Sequence, residues 1–223
     1  MLGELLSGRL TLMGAVIYIL SSLAVIFLTM PIHEFAHGYA ADKLGDPTPR
    51  YQGRLSLNPF AHIDYIGSVC ILLFGFGWAK PVEVNSYNFR KPKRDMAIVA
   101  AAGPISNLLI ALLFLFICNA IMIITNALSV YYIISFFYYI AQINVYLAVF
   151  NLIPIPPLDG SRILSVFLPD RIYYKLMSYE RYIYYVLVVL ILLGVLDSFL
   201  GNAAGNVLKL LDEIAYLPFK FLR

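Results

Sequence analysis

The sequence predicts an all-α integral membrane protein, on three observations. Hydrophobic residues make up 61% of the 223 and charged residues 13%, against roughly 45–50% and about 25% in soluble domains. A soluble fold of this size needs more charge to cover its surface. Uncharged apolar runs recur along the chain at lengths suited to helical crossing of a bilayer, which takes about 20 residues. The net charge is only +3, which excludes a strongly basic nucleic-acid binder. Cys70 and Cys118 stand in separate apolar stretches without CxxC spacing and read as small buried hydrophobes.

The elements follow in order. Leu10–Ile32 carries no charge and predicts a first span. It is too long for a cleavable leader and lacks a basic head and small-residue cleavage site, so it is expected to stay in the membrane. Ile66–Ala79 is short and contains Gly67, Gly75 and Gly77, which suits a re-entrant or interfacial segment. Met96–Leu158 holds no Asp, Glu, Lys, Arg or His and fits two crossings, with the turn near Thr125–Val130. Tyr182–Leu196, continuing to Leu200, predicts a fourth span. Asn202–Arg223 mixes Lys209, Asp212, Glu213 and Lys220 with leucines and predicts an amphipathic helix on the membrane surface.

Two loops hold most of the polar residues. Arg50–Leu57 alternates with a period of two and predicts a short strand, to which Val82-Glu83-Val84 could pair as a small β-hairpin-like loop. Arg90-Lys91-Pro92-Lys93-Arg94 reads as a basic topology anchor facing anionic lipid.

The chemistry lies in His33-Glu34-Phe35-Ala36-His37. On a helix, the i, i+4 spacing puts both imidazoles on one face, close enough to share a zinc ion. Glu34 follows the first histidine and is placed as general base for a water activated by the ion. The motif ends an apolar run, where ionisable groups are costly and usually functional. A tetrahedral catalytic zinc needs a third protein ligand. His62 is one candidate, although a hydrogen-bonded loop role suits it better. Asp159 is the stronger candidate, as the first charge after the long apolar run. It follows Pro154, Pro156 and Pro157, which break the helix, and precedes Gly160, which lets the backbone bend. Its alternative role is an N-cap for a helix over Ser161–Phe167.

With these residues in place, the chain resembles the site-2 protease family of intramembrane zinc metalloproteases. His33–His37 looks like the family's HExxH, Leu158-Asp159-Gly160 like its later Asp-Gly motif, and Gly103-Pro104-Ile105-Ser106-Asn107 like its middle core segment. The resemblance runs from about Leu10 to Phe167. It implies a three-helix catalytic core, one Zn2+ per chain on His33, His37 and Asp159, and Glu34 as catalytic base. It also implies membrane-embedded protein substrates, cut in or near their transmembrane segments. Asn107 is a candidate for substrate or oxyanion contact, with helix packing as its alternative. Chain 1–223 then reads as one polytopic protease domain of the compact prokaryotic type without a PDZ or CBS domain. Its core covers about 10–167, and the last span and C-terminal helix about 182–223. The rival reading is a catalytically silent zinc-binding scaffold or substrate-retention protein, against which the intact Glu34 argues.

The ligand set constrains topology. His33, His37 and Asp159 must meet, so an even number of crossings separates them. Two crossings within Met96–Leu158 satisfy this if Ile66–Ala79 does not span. About four spans result. The loops holding Lys43, Arg50, Arg54, Lys80, Arg90, Lys91, Lys93 and Arg94 then share a face. The positive-inside rule makes that face cytoplasmic, which predicts a multi-pass cell-membrane protein with its site towards the cytoplasm.

Overall fold

The computed structural model describes residues 11–74, 78–125 and 130–220. The first helix, α1, runs over Leu12–Leu44. Thr11 caps it by accepting the Gly14 N–H at 3.1 Å. Within it, Val25–Thr29 widens to a π-helical turn, and the Met30 N–H reaches back to the Val25 carbonyl. Pro31 explains the widening. Its ring has no N–H and crowds the carbonyl one turn earlier, and an extra residue in that turn relieves the clash. The helix stops at Gly45, whose φ of 109° is left-handed and suits glycine.

A short helix follows, α2 (Thr48–Tyr51), then α3 (Tyr65–Phe74). Next come the long antiparallel pair α4 (Pro92–Ile124) and α5 (Tyr131–Asn151). The turn expected near Thr125–Val130 falls between them, and residues 126–129 lie outside the described residues. After the proline bend come α6 (Asp159–Leu164), α7 (Asp170–Ser178), α8 (Glu180–Leu192) and α9 (Asp197–Tyr216).

α1, α4 and α5 are long and apolar enough to cross a membrane. They pack through two apolar centres. Val25, Ile26 and Met30 of α1 meet Ile140 and Ile143 of α5 and Ile71 of α3. Ala111 and Leu115 of α4 meet Ala141 and Val145 of α5 and Ala204, Leu208 and Ala215 of α9. The alanines let these backbones approach closely, which drives helix association where lipid and core are equally apolar. Ser21 adds a polar tie, its Oγ lying 3.0 Å from the Phe136 carbonyl.

Three expectations need correction. The described residues contain no strand: Pro47 and Pro49 direct Thr48–Tyr51 into a helical turn, and residues 78–85 form no regular element and pair in no ladder. The two segments still touch, through Gln52 Nε2 and Glu83 Oε2 at 2.7 Å. The expected fourth span is divided: α8 has 13 residues, about 20 Å of rise, and ends before a turn with Gly194 at φ 68°. The C-terminal helix is amphipathic, but α9 sets its apolar face along α4 and α5. Asn119 Nδ2 donates to Asp212 Oδ1 at 3.0 Å, and the Phe116 and Phe219 rings lie 4.9 Å apart.

The segment expected to re-enter begins and ends at one place. The Lys80 N–H donates to the His62 carbonyl at 2.8 Å. Gly67 passes so close to Trp78 that a Cβ on it would stand 2.0 Å from the Trp78 carbonyl oxygen.

Candidate metal centre

α1 turns His33, Glu34 and His37 inward, and all three are buried. The His33 and His37 rings meet edge to face with centroids 4.6 Å apart, as expected for i, i+4 neighbours on one helical face. Their Nε2 atoms are 3.0 Å apart. α6 brings Asp159 to the same point, its Oδ2 lying 3.3 Å from His37 Nε2 and 3.6 Å from His33 Nε2. The helix starts at Asp159 itself with Leu158 in the cap position, so Asp159 is not the N-cap of its alternative reading.

α4 supplies the floor. A Cβ on Gly103 would stand 2.3 Å from His37 Nε2 and 2.6 Å from His33 Cε1, so the imidazoles rest on bare backbone. The Val99 carbonyl accepts the His37 Nδ1–H at 2.8 Å, which leaves the Nε2 lone pair facing His33 and Asp159. Asn107, one turn beyond Gly103, is buried with Oδ1 unpartnered, as is His33 Nδ1.

These residues fit a metal ion. Two imidazole nitrogens and the hydrogen-bond-free Asp159 Oδ2 converge, an arrangement of lone pairs that a shared cation relieves. Their separations of 3.0, 3.3 and 3.6 Å bracket the edge of a zinc tetrahedron, about 3.3 Å for bonds of about 2.0–2.1 Å. His62 does not join them. It is buried elsewhere, with Nε2 2.8 Å from the Ser56 carbonyl oxygen. Burial holds its imidazole below the ordinary histidine range, and the Arg54 charge adds to this.

Glu34 stands beside the cluster, and its Oε2 accepts the Val82 N–H at 2.9 Å. A cavity of about 550 Å³ opens onto these groups. Trp78, Leu147, Phe150, Tyr184 and Leu187 make much of its wall apolar. Arg162, paired with Glu180 at 3.1 Å, lines it too.

Comparison with known proteins decides the family. Residues 117–194 match the family model described as peptidase family M50. The chain is 38% identical over 196 residues to "Putative zinc metalloprotease YwhC" of Bacillus subtilis (strain 168), covering 85% of this chain and 90% of that protein. The chain belongs to peptidase family M50. A more distant relative is "Putative zinc metalloprotease Rip2" of Mycolicibacterium smegmatis (strain ATCC 700084 / mc(2)155), 28% identical over 175 residues, 76% of this chain and 66% of that one. No solved structure matches the chain at a significant level. Membership in M50 makes the protein a zinc metalloprotease, and His33, His37 and Asp159 form a possible site for its Zn2+.

The sequence motifs did not reveal every contact to the site. Val82 reaches Glu34 through its backbone N–H and Val99 reaches His37 through its carbonyl, and neither contact depends on side-chain type. The alternation of Val82-Glu83-Val84 signalled extended chain but not what it faces. The place of α8 on the cavity wall depends on the turns after α6, which carry no motif, and Arg162 reaches the wall from α6 itself.

Proposed function

We propose that this M50 protease is an intramembrane endopeptidase that cuts peptide bonds in or near the transmembrane segments of membrane proteins. The observation that carries the reading is the meeting of His33, His37 and Asp159 with Glu34 at one largely apolar cavity. Zinc bound by His33, His37 and Asp159 would supply a Lewis acid and an acidified water.

The chain's own residues do the rest. Glu34 takes a proton from the attacking water and returns it to the leaving amine. Val82 and the burial of Glu34 hold that carboxylate in one orientation. Asn107 offers its amide to the scissile carbonyl as charge develops there. The apolar walls take the unwound peptide and keep bulk water from it. Asp42–Lys43 closes the first span, placing His37 about 9 Å inside the helix end at 1.5 Å per residue. The site would thus lie below the headgroups and short of the midplane.

By the positive-inside rule, the face with Lys43, Arg50, Arg54, Lys80 and Arg90–Arg94 is cytoplasmic in the cell membrane. The α3 segment re-enters from that face, as the joining of His62 to Lys80 supports. In the single domain 1–223, α8 and α9 then follow the catalytic core, with α9 packed along α4 and α5.

The test uses purified full-length protein in vesicles with a panel of single-span membrane substrates. Cleavage by wild type and none by Glu34→Gln is the expected result. Equal cleavage of soluble unfolded peptides, with membrane segments left intact, would remove the intramembrane assignment.

A further inference from the structure

A second cavity lies away from the zinc site, where α1 ends and α4 begins. Lys43, Leu44 and Gly45 form one wall, and Arg90, Lys91, Arg94 and Asp95 the other. Four cations thus surround it with one carboxylate. That carboxylate is buried and already committed: Asp95 Oδ2 accepts the Lys91 N–H at 3.0 Å, and Oδ1 lies 4.0 Å from Arg94 Nε.

The neighbouring acids are committed as well. Asp42 pairs with Arg50 at 2.6 Å. Asp46 is fully buried and accepts from the Thr48 and Asn85 backbones and from Asn88. Among the described residues no carboxylate pairs with Lys43, Arg90 or Lys91, and Lys43 Nζ instead lies 5.3 Å from the centre of the Tyr39 ring. Such a cluster takes a compact anion carrying several acceptor oxygens.

We propose that this cleft is a binding site for the phosphate of an anionic phospholipid. Its level at the ends of two long apolar helices selects the lipid over free phosphate. Lys43 stands in the last turn of α1 and Arg90–Arg94 stand at the start of α4, both helices apolar enough to cross a membrane, so the cations lie at the interface where headgroup phosphates are concentrated. A phosphate held between Lys43 and Arg94 ties the end of α1 to the start of α4. These are the two helices whose contact rests His37 on Gly103. The lipid therefore braces the frame of the metal centre from outside it.

The experiment titrates zinc-loaded full-length protein in neutral detergent with phosphatidylglycerol, phosphatidylcholine or glycerol phosphate, followed by thermal unfolding. Phosphatidylglycerol is expected to raise the midpoint well beyond phosphatidylcholine. Arg90→Gln/Arg94→Gln is expected to weaken its apparent affinity about thirtyfold, at about one order-of-ten step per 1.4 kcal/mol and about 1 kcal/mol per basic residue. Arg171→Gln/Lys175→Gln on α7 removes as much charge from elsewhere and is expected to leave that affinity in place. Equal loss in both double variants would reduce the effect to diffuse surface charge and overturn the site. A full response to glycerol phosphate would overturn the lipid assignment, and equal responses to both lipids would overturn the anion preference.

Discussion

Gly103 lies so close to His37 that a Cβ on the glycine would come within 2.3 Å of the imidazole Nε2. Small size here leaves room for the His33 and His37 rings and is not a matter of helix packing alone. Within a helix, Ala is otherwise favoured over Gly by about 1 kcal/mol. Gly103→Ala is therefore expected to keep the helix while displacing His33 and His37. Zinc affinity should fall on the order of 10–100-fold, the usual range for disturbing the support of metal ligands. Competition with a chromogenic chelator measures it, and unchanged affinity would show that the rings do not need this floor.

Glu34 sits beside the ligand cluster without belonging to it. Glu34→Gln keeps the shape and removes the proposed base. Zinc content should stay at the wild-type level, while turnover drops by about 10²–10⁴-fold. Substantial residual cleavage would refute the base assignment.

Asp46 joins the turn after α1 to the loop before α4. Its carboxylate accepts from Thr48 N at 3.1 Å, Asn85 N at 2.7 Å and Asn88 Nδ2 at 2.7 Å. Burial would raise its proton affinity, but these hydrogen bonds outweigh that and hold it below the ordinary carboxylate range. The unfolded chain then binds the proton more tightly, so the contribution is complete above about pH 4 and lost as pH falls through the folded value. Asp46→Asn should cost about 1.5–3 kcal/mol at pH 7. The gap in thermal midpoint between variant and wild type should narrow below pH 4. A gap that is constant with pH would contradict the charge argument.

The joining of His62 to Lys80 puts both flanks of α3 at one end of the bundle. Tyr51, 83% exposed, and the exposed Asn88 lie on those flanks. Single cysteines at the two positions are expected to react with an impermeant thiol reagent from the same side of sealed vesicles. Labelling from opposite sides would make the α3 segment a crossing.

Much of the site was legible because metal chemistry needs specific side chains at specific spacings. His33 and His37 share a helical face, and Asp159 stands alone at the end of a long uncharged run. Gly103 was visible only as part of a motif, since its role lies in the space it leaves. The contacts from Val82 and Val99 were not legible, because backbone groups are common to nearly every residue. The alternation over Arg50–Leu57 suggested a strand, yet Pro47 and Pro49 turned its start into a helix. At the C-terminus, Leu200, Ala204, Leu208 and Ala215 form an apolar face that a membrane surface or a neighbouring helix could cover. Only the small residues Ala111 and Ala141 opposite it, distant in sequence, decide for the helix.

The most direct test is the zinc content of the detergent-purified protein beside that of folded His37→Ala, because it needs no known substrate. The account predicts about one zinc per chain in wild type and its loss in the variant. Folded wild type without zinc, or zinc retained in the variant, would contradict the metal centre at His33, His37 and Asp159.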